Sequence, residues 1–80
     1  MILRNSNENP LLIAQTGPLE GQRWKIAPEL MVGREADCDI IIPLRQVSRH
    51  HARVYLSPEG AVVDDLDSKN GTYVNGHRIQ

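Results

Sequence analysis

The residues best equipped for chemistry in this 80-residue chain gather in one run, Ser48-Arg49-His50-His51-Ala52. A hydroxyl, a guanidinium and two imidazoles stand together immediately before an alternating apolar and polar stretch, so several hydrogen-bond donors are carried at the mouth of a strand. Such a site favours an anion. Further on, Ser68-Lys69-Asn70-Gly71-Thr72 repeats the arrangement, and Gly33-Arg34 supplies a third basic point at the end of an earlier apolar segment. Three donor-rich loops on a small β scaffold suit a binding module for a phosphorylated group.

Other chemistries fit these residues less well. Adjacent histidines project to opposite sides of an extended chain, and neither Cys38 nor His77 supplies the paired spacing of a zinc site, so no metal is expected. Ser48 and His51 resemble a nucleophile and a base, but no third orienting group and no oxyanion motif accompanies them. The expectation is a noncatalytic domain that uses no cofactor.

The elements that must hold these loops are short strands. Asn5 to Pro10 is polar and unpatterned, and residues 1–10 are read as a flexible lead-in to a domain over 11–80. Leu11 to Gln15 and Gln22 to Ile26 flank a Gly-Pro turn cluster, and in the second segment Trp24 and Ile26 share a face. Leu30-Met31-Val32 stops at Gly33-Arg34, and Ile40-Ile41-Ile42 is a short buried run closed by Pro43. From Ala52 to Leu56 the alternation is clear, Ser57-Pro58-Glu59-Gly60 turns the chain, and Ala61 to Leu66 returns. Asn75-Gly76, between Thr72-Tyr73-Val74 and His77-Arg78-Ile79, is the strongest hairpin signal. No stretch has a helical period, so about eight short strands indicate an all-β fold, an antiparallel β-sandwich.

Composition bounds the rest. The core is thin and mostly aliphatic, since Phe is lacking and the aromatic residues are Trp24, Tyr55 and Tyr73. Nine Lys and Arg against ten Asp and Glu argue against general affinity for nucleic acid, so anion recognition must be local. Cys38 is alone, which favours a reducing, cytoplasmic location, and no run is long enough to span a membrane.

In order, Gly33-Arg34, Ser48-Arg49-His50-His51-Ala52 and the stretch from Asp65 to Gly76 closely resemble the signatures of the forkhead-associated (FHA) domain. The likeness covers residues 11–79. It implies a sandwich of the SMAD/FHA type whose loops at one end bind phosphothreonine peptides. By the same resemblance, Arg34 and Ser48 contact the phosphate with Arg49 beside them, and Asn70 holds the peptide backbone. Lys69 stays open between a phosphate contact and a solvated charge. His51 braces the loop, and Gly33, Gly71 and Gly76 serve backbone shape.

Set against the family pattern, the last two or three strands are missing. The expectation is a sandwich lacking its C-terminal strands in which Leu11 to Gln15 is left as an exposed edge, with a homodimer of exchanged strands as one way to cover it. Simple strand alternation also sets the loops at 43–51 and 67–71 at one end and the loop after Arg34 at the other, so their convergence is implied by the likeness alone. The function expected is recognition of a phosphothreonine-containing protein, in trans or in cis, in Ser/Thr kinase signalling. A phosphate-independent scaffold that joins protein surfaces or self-associates is the alternative.

Overall fold

The computed structural model describes residues 2–4, 11–26 and 28–79. Its nine strands are β1 (Ile2–Arg4), β2 (Leu11–Ile13), β3 (Arg23–Lys25), β4 (Glu29–Gly33), β5 (Ile40–Ile41), β6 (Ala52–Ser57), β7 (Gly60–Asp65), β8 (Tyr73–Val74) and β9 (His77–Arg78). They form a three-stranded sheet in the order β1-β2-β3, a four-stranded sheet in the order β5-β4-β6-β7, and the β8-β9 hairpin. Among the described residues there is no helix, as the sequence pattern indicates.

Period-two alternation explains how the two larger sheets meet. Leu12 and Ile26 from the first, and Leu30, Val32, Ile40 and Val54 from the second, make one buried cluster, with Trp24, Ile42 and Val63 packed at its margin. Full burial of a branched aliphatic side chain stabilises by roughly 1.5–3 kcal/mol, and Ile26 and Ile40 are the most completely enclosed. The next residue, Ile41, is 41% exposed, so the three-isoleucine run is buried on one face only. On the outer face Arg53 bonds Asp64 at 3.0 Å and lies over the Tyr55 ring.

The turns follow their residue chemistry. The β6-β7 hairpin closes at Ser57↔Gly60, where Ser57 Oγ receives the Glu59 N–H. Asn75 and Gly76, at φ 51° and 82°, make the β8-β9 turn in the left-handed region that these residues tolerate.

Two expectations are corrected. Residues 2–4, read as part of a flexible lead-in, pair antiparallel with β2 in the register Ile2↔Ile13, Leu3↔Leu12 and Arg4↔Leu11. Three residues are too few to show a period, and the polar composition of 5–10 masked them; 5–10 themselves lie outside the described residues. In consequence Leu11–Ile13 is no exposed edge, since β2 is the central strand of its sheet.

The opposed placement of the loops is resolved by β5. This two-residue strand runs parallel to β4, in the register Val32↔Ile40 and Gly33↔Ile41, within an otherwise antiparallel framework. Alternation assumed that each strand reverses the last. Because β5 continues in the direction of β4, the parity changes by one. Val32 pairs with Ala52 and Ala52 with Asp65, so Ile40, Val32, Ala52 and Asp65 form one row across all four strands. The loops at 34–39, 43–51 and 66–71 all adjoin that row at the same end of the sheet.

Candidate functional site

His51 is the junction of this end. Its backbone N–H donates to the Val32 carbonyl at 2.8 Å and its carbonyl accepts the Leu66 N–H at 3.0 Å, tying β4, β6 and the end of β7 together. Its ring does the same for the loops. The Ser48 N–H donates to His51 Nδ1 at 3.0 Å, and Nε2 lies 2.8 Å from the Gly71 carbonyl. A nitrogen that accepts carries no proton, so the ring is the Nε2–H tautomer donating to Gly71. The brace implied for His51 is therefore a two-ended link between the Ser48 loop and the Gly71 loop.

The 43–51 loop is fixed from three sides. The Arg34 N–H sits between the carbonyls of Ser48 and Arg49, both at 3.1 Å, and Arg34 Nε donates to the Val47 carbonyl at 3.0 Å. The Lys69 N–H donates to Ser48 Oγ at 2.9 Å, leaving the hydroxyl proton for another acceptor. Asn70 Nδ2 donates to the Gln46 carbonyl at 2.7 Å. Gly33 is required by space: a Cβ there would overlap the Arg49 carbonyl oxygen and lie 2.9 Å from Cys38 Sγ. That thiol is buried and donates to the same carbonyl, and burial, with the Asp37 charge adding to it, pushes its pKa up.

The 66–71 loop is built on Asp65. Its carboxylate accepts from Ser68 Oγ, from the Ser68 N–H at 3.1 Å and from Thr72 Oγ1 at 2.7 Å. These bonds, the Ser68 hydroxyl foremost, hold the Asp65 carboxyl below the usual carboxylate range. Ser68 Oγ in turn accepts the Gly71 N–H at 2.9 Å. At φ 84°, Gly71 takes a left-handed conformation, and Arg78 packs where its Cβ would be.

Arg34, Ser48, Arg49 and Lys69 line one open pocket together with Arg45, Gln46, Val47 and His50. The arrangement offers forked cations and one hydroxyl, donors a phosphate dianion uses, while the amides of Arg34, Val47, Ser48 and Lys69 are spent on fixing the loops. Asn70 is not part of that wall; its amide nitrogen holds the neighbouring loop instead. Gly33, His51 and Gly71 sit behind the pocket at the joints just described.

Sequence reasoning missed two residues here. Arg45 stands in the turn closed by the Val47 N–H on the Leu44 carbonyl, and a lone Arg in a loop carries no signal of its own. Ser68 is the buried polar residue of the chain's described part, and the Ser-x-x-Gly spacing after an Asp was the available clue. Asp37, Cys38 and His50 place ligand-type atoms within 4.8 Å of one another beside the site, where His50 Nε2 bonds Asp37 at 2.9 Å.

The fold agrees with what known proteins show. The FHA domain model matches residues 30–80, and the chain belongs to the FHA domain family. The glycogen accumulation regulator GarA of Mycolicibacterium smegmatis is 41% identical over 66 residues, 81% of this chain and 42% of GarA. A solved structure from a structural and functional analysis of phosphothreonine-dependent FHA domain interactions superposes with a TM-score of 0.78 at 29% identity, covering 90% of this chain and 74% of that one. Mycobacterium tuberculosis EmbR, solved in complex with a low-affinity phosphopeptide, gives a TM-score of 0.69 at 36% identity over 75% of this chain and 16% of EmbR. The chain spans less than half the length of the curated relatives it matches. No helix among the described residues is long and apolar enough to cross a membrane.

Proposed function

We propose that this domain is a noncatalytic reader of phosphothreonine in a partner protein, or in its own parent chain, acting in Ser/Thr kinase signalling. The observation that carries the reading is the joint fixing of Arg34 and Ser48. Arg34 Nε is pinned to the carbonyl next to Ser48, while Ser48 Oγ is oriented by the Lys69 N–H. Phosphothreonine brings about −1.5 to −2 charges and three acceptor oxygens. In this reading Arg34 and Arg49 supply charge, Ser48 donates its hydroxyl proton, and Lys69 adds a flexible cation. Asn70, with its nitrogen engaged on Gln46, has its carboxamide oxygen to receive an N–H from the peptide backbone. The likeness to FHA domains studied for phosphothreonine-dependent interactions supports the same assignment.

The partner would be a cytoplasmic phosphoprotein. Self-association through an open strand at 11–15 loses its basis, because β1 occupies that edge. An apolar cleft with Ile42, Val47, Val63 and Tyr73 at its partly exposed rim still favours a second, phosphate-independent contact with another protein surface. A degenerate phosphothreonine peptide array run beside its unphosphorylated copy tests the main reading. Binding confined to the phosphorylated set is the expected outcome, and equal binding to both would transfer the function to the apolar face.

A further inference from the structure

Spacing along the chain pairs no metal ligands, yet the fold brings three different ones to a single point. Asp37 and Cys38 come from the 34–39 loop and His50 from the 43–51 loop, and their carboxylate oxygen, thiol sulfur and imidazole nitrogen all lie within 4.8 Å of one another. The two loops that carry them are already locked together. The Cys38 N–H donates to the Glu35 carbonyl at 3.1 Å, Asp39 accepts the Met31 N–H at 2.8 Å, and the Glu35 N–H donates to the Arg49 carbonyl at 3.2 Å. The ligand-bearing side chains therefore start from fixed backbone.

The spacing is close to what tetrahedral zinc needs. With Zn–N and Zn–O near 2.0–2.2 Å and Zn–S near 2.3 Å, ligand atoms stand roughly 3.3–3.6 Å apart. His50 Nε2, at 2.9 and 3.0 Å from the two Asp37 oxygens, would open slightly, and the sulfur, at most 4.8 Å away, would close by no more than about 1.3 Å. The side chains of His50 and Asp37 are 46% and 70% exposed, so both can turn towards the sulfur. Thiolate and imidazole select zinc over magnesium or calcium, and thiolate with carboxylate balances a dication. Burial, then the charges of Asp37, Asp39 and Glu35, oppose ionisation of the thiol, so metal binding there releases its proton to solvent. The Arg49 carbonyl, which loses the S–H donor, keeps the N–H groups of Arg34 and Glu35.

We propose that Asp37, Cys38 and His50 form a zinc-binding site, completed by water, that clasps the 34–39 loop to the 43–51 loop beside the phosphate pocket. Three protein ligands leave one of the four positions to solvent. His50 also lines the pocket, so the ion would sit at the pocket's edge. The site stands apart from the phosphothreonine reading, because metal binding is measured without peptide.

The test is a titration of the reduced, chelator-treated chain with Co²⁺, a coloured substitute for zinc, followed by absorption. One equivalent should bring a thiolate-to-cobalt charge-transfer band in the near ultraviolet with the visible bands of four-coordinate cobalt, and Zn²⁺ should then displace them. Cys38→Ser should remove the charge-transfer band. His50→Ala and Asp37→Ala change exposed side chains and should keep the parent's circular dichroism, so they decide the matter even where the buried serine variant does not fold. Each should weaken cobalt about tenfold or more, as the loss of even an outer-sphere partner does. His77→Ala, outside the cluster, should bind as the parent does. Zinc should raise the thermal midpoint of the parent and not that of His50→Ala. No charge-transfer band at stoichiometric cobalt would overturn the site. So would a band that persists at parent affinity in both His50→Ala and Asp37→Ala.

Discussion

Arg34 and Asp65 show how differently two charged residues contribute at one end of the sheet. Arg34 gives its backbone N–H and its Nε to the 43–51 loop, and the rest of its guanidinium faces the pocket. Arg34→Ala should weaken phosphothreonine-peptide binding roughly tenfold to a hundredfold, since a hydrogen bond to a charged group contributes about 1.5–3 kcal/mol. Its far-ultraviolet circular dichroism should stay that of the parent. Unchanged calorimetric affinity would remove Arg34 from the site. Asp65 contributes to stability instead. Its carboxyl is held below the ordinary unfolded value of about 3.9 by the Ser68 and Thr72 donors, so its stabilising effect is complete above that value and is lost as pH falls through the folded one. Asp65→Asn should lower stability by roughly 1–2 kcal/mol near neutrality, and denaturant titrations should show the gap to the parent closing below about pH 4. A gap that widens on acidification would contradict the assignment.

The elements matter through one row, Ile40-Val32-Ala52-Asp65, beyond which each binding loop begins. Its geometry depends on Gly33, where the Arg49 backbone crosses within reach of a side chain's first carbon. Gly33→Ala should therefore cost at least about 1–3 kcal/mol, because the obstacle is a carbonyl and not a flexible side chain. The thermal midpoint and the peptide affinity should fall together. A parent-like midpoint would mean that the loop moves aside freely. Much of this level was legible in the sequence: the alternation from Ala52 to Leu56 and the Asn75-Gly76 turn follow from single-residue chemistry, whereas the need for Gly33 came from the family resemblance and its cause, the crossing Arg49 backbone, from the structure. The direction of β5 was not, since two residues carry no directional signal and only their pairing partner reveals it. Nor was β1, whose three residues precede a polar run.

At the scale of the whole molecule, a thin aliphatic core joins two sheets, and the polar loops are knit by side-chain bonds that composition cannot reveal. Arg34, Ser48, Arg49 and Lys69 were legible as donors from their types. That Asn70 would spend its nitrogen on Gln46, and that Arg45 would join the wall, depended on how one loop folds over another. Peptide affinity should weaken as the phosphate dianion gains a proton below about pH 6, which titrations from pH 7.5 to about 5 would follow; constant affinity across that span would exclude a dianion-dependent mode. The most direct measurement is a nuclear magnetic resonance titration of the labelled domain with a phosphothreonine peptide, reading backbone amides and the arginine Nε–H signals. The signals of Arg34, Ser48, Arg49 and Lys69 should move together and saturate at one stoichiometric equivalent, with the Ser57–Gly60 turn at the far end of the sheet unaffected. Saturable shifts confined to that far turn, or to the apolar face, with the four pocket residues unmoved, would contradict a phosphate site built from the three loops.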